Sequence, residues 1–573
     1  MSFDPFTTPT KRTAFSSTEV GLSRPRPSGA SPAYSSRRHS LYGIEDRVVL
    51  DLGSRIWKVG FSGEPEPRAV FLALDSSSNS TEAWDLDIGS LDGARKSRSE
   101  GNRLAGVRIA NKLKETFVKH LLADSKQRKV IVTENTFLPT YIKEHIARVL
   151  FDNLRVPSVS FTPASILALA SCGRVTGLVV DIGWLETSVT PVYNSRPLFS
   201  LSRSTPLAGK KLHTRVKSLL YHEAIYISPP ISLSNLARER RQGVPADLLN
   251  DSFVERVITE GCFVGSAFIE PEEKQNVEME VDFLQEYKYE IEDPQLLHTL
   301  RKRYQPSSSA SDMVFSVDSS GHLQRGHGTV IVPGWAREQA AEVLFDDDDE
   351  TEGESVPHAI LNTLLKLPID LRSELASSIL IIGGVSSLPN LIPRLRTILL
   401  QSLLPFSSTS EEHQHMISPL NTPAANREEA RAWRKRTKEP YRRLHSLVNE
   451  IAILNDPAPI DGEVKGIKGG KAPRWVPSLT TWVGGSLAGT LRTGTPEMTR
   501  ETYDAQISAS ISRGEAYKEE LEETYSAVAS HVGVSVDDLR VGEAYADVRG
   551  LGRRRGWNHG VGVVADWSRS VTA

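Results

Sequence analysis

Two stretches of this chain repeat one pattern, in which an apolar run ends in Asp-x-Gly and a second apolar run follows at once. The first stretch reads VVLDLGSRIWKVGF from Val48, and the second reads GLVVDIGWLETSVTPVY from Gly177. Apolar runs of this length, bounded by glycine, predict buried strands that are joined by tight turns. Two copies of one strand–turn–strand unit therefore predict an α/β protein built from two related halves.

Two glycine pairs occur later in the chain. The apolar run Ile379–Ile382 predicts a third buried strand, and it ends in Gly383-Gly384 before a helical pattern begins. Gly484-Gly485 lies inside an apolar segment instead. A glycine pair there predicts a helix that packs closely against neighbouring backbone, because glycine carries no Cβ.

Polar segments divide the chain of 573 residues. Residues 1–45 are rich in Ser, Pro, Thr and Arg without periodicity, which predicts a disordered N-terminal extension. The predicted folded domain spans 46–504. A polar loop at 73–106 and a polar insert at 405–445 interrupt it, and 505–573 is predicted to be a C-terminal extension.

Composition excludes several classes of function. Lysine and arginine number 68 against 71 aspartates and glutamates, so the net charge of −3 gives no field that would recruit nucleic acid or an anionic membrane. No run approaches about 18 consecutive apolar residues, so we expect no direct membrane insertion. The chain has two cysteines, Cys172 and Cys262, which predicts a reducing compartment and buried thiols rather than a disulfide framework.

The glycine signals have a common chemical interpretation. Two facing glycine hairpins can offer backbone N–H groups to phosphate oxygens, and carboxylates at the strand ends can hold hydrated Mg²⁺. A Gly-Gly turn lets the backbone approach a base closely. Each signal is weak alone, since a glycine after a strand usually marks an ordinary turn. Their order along the chain favours a phosphate clamp.

In that order, the segments resemble actin and the actin-related proteins. LDLGSRIWKVGFSGEPEPRAVF is similar to the first phosphate loop of the family, VVDIG to the second, and WVGGSLAGTL to the closing helix; the resemblance covers about 46–504. It implies an α/β actin-like fold of two lobes around a nucleotide cleft. It implies ATP or ADP with Mg²⁺ as a structural ligand that is not hydrolysed, and an empty pocket is the alternative. The implied cofactor-binding residues are Asp51, Gly53, Ser54, Lys58, Asp181, Gly183, Gly209, Gly383 and Gly384.

Several positions depart from the family's pattern. In the first loop Arg55 replaces a glycine, and in the second loop Trp184 replaces an acid and Leu185 a glycine. The glutamine that positions the attacking water in the family matches Ala164. Losing such a group costs about 10²–10³ in rate, because phosphoryl transfer depends on positioning and electrostatics. We therefore expect a protein that is not an enzyme.

The segment at 73–106 is shorter than the family's loop and lacks the apolar anchors of a plug, which argues against a homopolymer. The pattern is most similar to the actin-related protein 10 group, also called 11, at the pointed end of dynactin. This resemblance implies a cytoplasmic, cytoskeletal subunit for dynein-driven microtubule transport. Its partners would be a filament-forming actin-related protein and pointed-end dynactin subunits.

Two alternatives stay open. The first is a nuclear actin-related subunit of a chromatin-remodelling complex, which the basic run RAWRKRTK at 431–438 favours. The second is a slow ATPase of the actin and sugar-kinase superfamily, since one fold hosts many functions. Co-purifying partners would separate the first alternative from the dynactin assignment, and phosphate release would reveal the second.

Overall fold

A six-stranded sheet carries the first of the two repeated units. The computed structural model describes residues 47–73, 84, 106–229, 240–265, 294–306, 308–318, 327–347, 353–403, 440–456, 476–491 and 496–509. The strands of this first sheet are β1 (Val48–Leu52), β2 (Ile56–Phe61), β3 (Ala69–Leu72), β4 (Val130–Glu134), β5 (Ser158–Pro163) and β15 (Met498–Thr499), in the order β15-β5-β4-β1-β2-β3. All five residues of β1 are buried, with β2 antiparallel on one side and β4 parallel on the other.

A second sheet repeats this arrangement. Its strands are β6 (Gly177–Ile182), β7 (Thr187–Tyr193), β8 (Arg196–Pro197), β9 (Arg203–Thr205) and β14 (Ile379–Ile382), in the order β14-β6-β7-β8 with β9 paired to β7. Strand β6 has an antiparallel hairpin partner, β7, and a parallel partner, β14. Because β1 and β6 have the same kinds of neighbours, the prediction of two related halves is confirmed.

A third, antiparallel sheet is appended to the second half. It contains β10 (Ile225–Ile227), β11 (Arg241–Gly243), β12 (Met313–Asp318) and β13 (His327–Val332), in the order β11-β10-β13-β12. Val330 in β13 and Phe315 in β12 are buried in the same core as Leu178 of β6. The second and third sheets therefore belong to one lobe.

Helices cover the sheets. The α-helices span 106–115, Thr140–Arg148, Ala164–Ser171, Gly209–Glu223, Asp251–Gly261, Pro294–Tyr304, Gly334–Gln339, Val356–Lys366, Ile369–Ala376, Leu391–Leu403, Thr480–Leu491 and 500–509. Two helices end in a wider π turn, at Thr116–Leu121 and Val149–Asn153. Among the helices described, none has the length and apolar content that a membrane crossing needs.

The two largest hydrophobic clusters of the described residues define two lobes. The core of the first lobe contains Leu50, Trp57 and Val132 around the first sheet, and the core of the second lobe lies around the second and third sheets. This mixed α/β arrangement confirms the actin-like fold class expected from the sequence. The cleft between the lobes lies where the two hairpins turn.

The helices Ala164–Ser171 and Thr480–Leu491 cross at very short distance. A Cβ added at Gly484 would lie only 1.9 Å from the carbonyl oxygen of Leu167, so a larger residue would push the helices apart. This contact confirms the close helix packing predicted from the glycine pair. Trp482, two residues earlier, is fully buried and donates its indole N–H to the carbonyl of Val49 at 3.3 Å.

The folded body extends beyond two of the predicted boundaries. The end of the predicted insert at 405–445 belongs to the body, because Tyr441 and Leu444 are buried in the second core. The terminal helix runs over 500–509, past the predicted boundary at 504, and Tyr503 stacks on Phe151 with ring centroids 4.5 Å apart. The predicted extension at 1–45, most of the loop at 73–106 and 510–573 lie outside the described residues.

Candidate functional site

The two hairpin turns and the Gly-Gly turn line one cavity between the lobes. Its volume is about 560 Å³, which lies within the range of small-molecule sites. All nine residues predicted to bind a cofactor line it, namely Asp51, Gly53, Ser54, Lys58, Asp181, Gly183, Gly209, Gly383 and Gly384. The structure thus brings the predicted residues together, and their role as nucleotide ligands stays a prediction.

The first hairpin turns within two residues. The N–H of Gly53 donates to the carbonyl oxygen of Ile56 at 3.2 Å, which leaves Ser54 and Arg55 at the tip. A Cβ at Gly53 would lie 2.6 Å from that same oxygen. Glycine is therefore required for this tight turn, as the sequence indicates.

The second hairpin closes in the same way. The N–H of Gly183 donates to the carbonyl of Glu186 at 3.1 Å, with Trp184 and Leu185 at the tip. The helix Gly209–Glu223 begins directly against this turn, since Gly209 N–H donates to the Gly183 carbonyl at 3.0 Å. The next N–H of that helix donates to the carbonyl of Trp184 at 2.8 Å. The first two donors at this helix N-terminus are thus engaged by the hairpin.

The Gly-Gly turn follows β14, the parallel neighbour of β6. Gly383 has a φ of +98°, a region that favours glycine, and an added Cβ would lie 2.3 Å from the carbonyl oxygen of Ile182. The same Cβ would lie 2.6 Å from Oδ1 of Asp181. An added Cβ at Gly384 would meet nothing within 4 Å. The turn therefore packs against the end of β6 through Gly383 alone.

Asp51 at the end of β1 is buried and has two partners. Lys58 donates from Nζ to Oδ2 of Asp51 at 2.8 Å, and Thr133 on β4 donates from Oγ1 to Oδ1 at 2.7 Å. The resemblance implies that Lys58 reaches a phosphate. In the structure its ammonium group donates to Asp51, and an ammonium group carries two further N–H donors.

Two further carboxyl groups line the cavity at the ends of the second hairpin. Burial, and next the negative charge of Asp51, raise the pKa of Asp181 to about 6, although Lys58 opposes the shift. Burial, and next the charge of Asp181, raise the pKa of Glu186 to about 7. Both shifts come mainly from removal of the carboxyl groups from water, and the neighbouring carboxylate adds to each. Glu186 was not among the predicted site residues.

Arg55 crosses from the first hairpin to the second lobe. Its guanidinium carbon lies 3.9 Å from the centre of the Trp184 ring, and its Nε donates to Oε1 of Glu255 at 2.5 Å. Glu255 lies on the helix Asp251–Gly261 of the second lobe. Arg55 is only 4% exposed, although it stands at the tip of a turn. Sequence reasoning identified Arg55 and Trp184 separately and missed their contact.

Trp184 also packs against residues of its own lobe. Its ring packs edge-on against His213 with centroids 5.4 Å apart, and an added Cβ at Gly209 would lie 3.0 Å from the Trp184 ring atom Cε3. Burial lowers the pKa of His213 to about 4, so the imidazole is neutral at physiological pH. The indole therefore rests on an uncharged, close-packed surface.

Comparison with known proteins agrees with this geometry. The sequence pattern described as "Actin" matches residues 45–431, more than half of the chain. The chain belongs to the actin family. Actin-related protein 10 of Dictyostelium discoideum is 26% identical over 375 residues, which cover 61% of this chain and 72% of that protein. Actin-related protein 4 of Arabidopsis thaliana is 24% identical over 406 residues, which cover 63% of this chain and 87% of that protein.

Members of the actin family typically bind a nucleotide with Mg²⁺, and its phosphates would lie between the two hairpin turns. In this member the N–H groups of Gly53 and Gly183 close their own turns, and Lys58 is bound to Asp51. The contact of Arg55 with Trp184 bridges the two tips. A triphosphate chain that bridged the two tips would therefore have to displace this contact. Among the described residues, no cluster of three or more His, Cys, Asp or Glu is placed to hold a metal ion.

Proposed function

We propose that this actin-family protein is a non-catalytic subunit of dynactin, at the pointed end of its short filament, and that it supports dynein-driven microtubule transport. The main support for the dynactin assignment is the similarity to actin-related protein 10 of Dictyostelium discoideum. The proposed partners are a filament-forming actin-related protein and the pointed-end dynactin subunits. The proposed location is the cytoplasm, on the cytoskeleton.

The lack of catalysis rests on the chemistry of the cleft. Ala164, which matches the water-positioning glutamine, is 4% exposed and offers only a methyl group. Trp184 stands where the family has an acid, and its ring is covered by Arg55. Because neither of these two positions carries a polar group, phosphoryl transfer loses the water-positioning that the family's residues supply there.

A terminal position in a filament requires that one face does not accept another copy of the chain. The loop at 73–106 supports this, because it is polar and short where a self-assembling member needs an apolar plug. Most of that loop lies outside the described residues. We therefore propose a hetero-assembly rather than a homopolymer.

Affinity purification of the tagged full-length chain from cells tests the assignment. The expected result is that dynactin's filament-forming actin-related protein and its pointed-end subunits co-purify and sediment with the chain as one large complex. The tag alone, and tagged conventional actin, serve as controls. Recovery of chromatin-remodelling subunits, or of no actin-related partner at all, would contradict the proposal.

A nuclear actin-related subunit of a chromatin remodeller is the second candidate. It is supported by the similarity to actin-related protein 4 of Arabidopsis thaliana, which covers the larger share of the relative. The basic run at 431–438 would then act as a nuclear-localisation signal. Cell fractionation of the intact chain, and of a variant with this run changed to Ser and Gly, separates the candidates. Nuclear retention that depends on the run would favour the remodeller.

A further inference from the structure

The two replaced positions of the phosphate loops contact each other. Arg55 stands at the tip of the first hairpin and Trp184 at the tip of the second, and the guanidinium carbon lies 3.9 Å above the indole ring. A cation within about 6 Å of an aromatic face is attracted by the ring's quadrupole, most strongly for tryptophan. The contact therefore joins the two lobes directly.

A second group of the same lobe holds the guanidinium. Glu255 accepts from Arg55 Nε at 2.5 Å, and it projects from the helix Asp251–Gly261, whose Phe253 and Val257 are buried in the second core. Arg55 thus comes from the first lobe and has both partners in the second. A charge-assisted bond to a rigid helix fixes the direction of the planar guanidinium as well as its position.

An apolar contact lies beside this charged one. Leu185, the neighbour of Trp184 in the second turn, packs against the core of the first lobe. Each turn therefore contacts the opposite lobe. Arg55 of the first turn contacts the second lobe, and Leu185 of the second turn contacts the first lobe. Such reciprocal contacts resist opening more effectively than a single bridge, because both must break together.

The charge of the site opposes a phosphate at the same place. The cations Arg55 and Lys58 are each bound to one carboxylate. Two more carboxyl groups, Asp181 and Glu186, line the same cavity, and burial, followed by the charge of a neighbouring carboxylate, raises the pKa of each. A polyphosphate between the turns would displace the Arg55 contact and face these carboxylates. The protein's own groups therefore occupy the position from which phosphates would bridge the lobes.

We propose that the contact of Arg55 with Trp184 and Glu255, here called the cleft clasp, holds the two lobes together in place of a bound nucleotide. The closed cleft then persists when nucleotide and divalent metal are removed. The contact between the lobes then no longer depends on a bound ligand. The inference is independent of whether the chain assembles with dynactin or with a remodeller.

Hydrogen–deuterium exchange of the full-length chain tests the clasp. The protein is treated with apyrase and EDTA, and its exchange is compared with that in the presence of Mg-ATP. The wild-type turns at 51–58 and 181–188 are expected to exchange at the same rate in both conditions, within about twofold. Loss of their protection on nucleotide removal would overturn the proposal, because the ligand would then be holding the lobes.

Variants of Arg55 and Trp184 test whether the clasp is what protects the two turns from exchange. Arg55→Ala and Trp184→Ala are each expected to raise exchange at both turns by about tenfold in the stripped protein, which corresponds to about 1.4 kcal/mol of opening free energy. The double variant should add little to either single one, since both remove the same contact. Unchanged exchange in the single variants would overturn the proposal.

A matched control distinguishes the clasp from general stability. Arg394 forms a buried ion pair with Glu342 at 3.3 Å, and both residues belong to the second lobe. Arg394→Ala should raise exchange around its own helix and leave the turn at 51–58 unchanged. If an alanine variant of the clasp does not fold, Arg55→Lys and Trp184→Phe keep the charge or the ring and should show smaller increases in the same peptides.

Discussion

Replacing Glu186 by glutamine should change how the stability of the protein depends on pH. Burial and the charge of Asp181 raise the pKa of the Glu186 carboxyl from 4.5 to about 7 in the folded state. The folded state therefore binds this proton more tightly than the unfolded chain does. The stabilisation is fully present below the unfolded pKa and is lost as the pH rises through the folded pKa.

The magnitude follows from the size of the shift. The difference between 4.5 and about 7 is about 2.5 units. At about 1.4 kcal/mol per unit, it corresponds to about 3 kcal/mol lost between low and high pH. Solvent screening of the half-buried carboxyl reduces this figure to about 2 kcal/mol. Glutamine has the same shape, accepts the same hydrogen bonds and carries no charge at any of these pH values.

Urea unfolding followed by tryptophan fluorescence measures the effect. At about pH 8 the Glu186→Gln variant should exceed the wild type in free energy of unfolding by about 2 kcal/mol, and at about pH 5 the gap should be under about 1 kcal/mol. Glu374→Gln, which alters an exposed carboxylate on the helix Ile369–Ala376, should give no such gap. A gap that is constant with pH would refute the reasoning about this buried carboxyl.

Two further predictions concern the backbone of the site and the thiols. Gly383→Ala should lower the free energy of unfolding by about 1–3 kcal/mol, because its Cβ would meet the Ile182 carbonyl at positive φ, whereas Gly384→Ala should shift the melting temperature little. Equal shifts for the two variants would count against the described turn. Burial raises the pKa of Cys262 to about 12, so a thiol reagent should modify the half-buried Cys172 first and Cys262 only on unfolding, as mass spectrometry of labelled peptides would show.

Much of the fold could be predicted because its signals are local. The apolar runs before Asp51 and Asp181 form the buried strands β1 and β6, and the glycines that follow them form tight turns. The close approach at Gly484 was also predicted, because only a glycine tolerates such a distance to Leu167. The signals for these features are short runs of residues that are neighbours in sequence.

The rest of the site could not be predicted because it depends on how the lobes pack. Arg55 and Glu255 are 200 positions apart, and the helix that carries Glu255 has several acidic residues with nothing to mark this one as the partner. The sequence did contain a signal for this contact. Arg55 and Trp184 are both bulky replacements at the tips of turns that were predicted to face each other.

The boundaries of the folded domain were also predicted only approximately from the sequence. Tyr441 follows a polar stretch, and the composition of that stretch assigned it to the predicted insert at 405–445. Its side chain is buried in the second core, so it belongs to the folded body. Likewise the stacking of Tyr503 on Phe151 continues the terminal helix past residue 504. Composition is an average over a stretch of residues. Whether a segment packs against the folded domain can depend on a single large side chain, such as Tyr441 or Tyr503.

Phosphate release by the purified full-length chain in Mg-ATP tests the central claim most directly. We expect no release above that of the buffer, because Ala164 and Trp184 carry no polar group at the two matched positions and the cleft clasp bridges the turns. Steady release by the wild type that disappears in Asp181→Asn would contradict the account, since it would place turnover in this cleft.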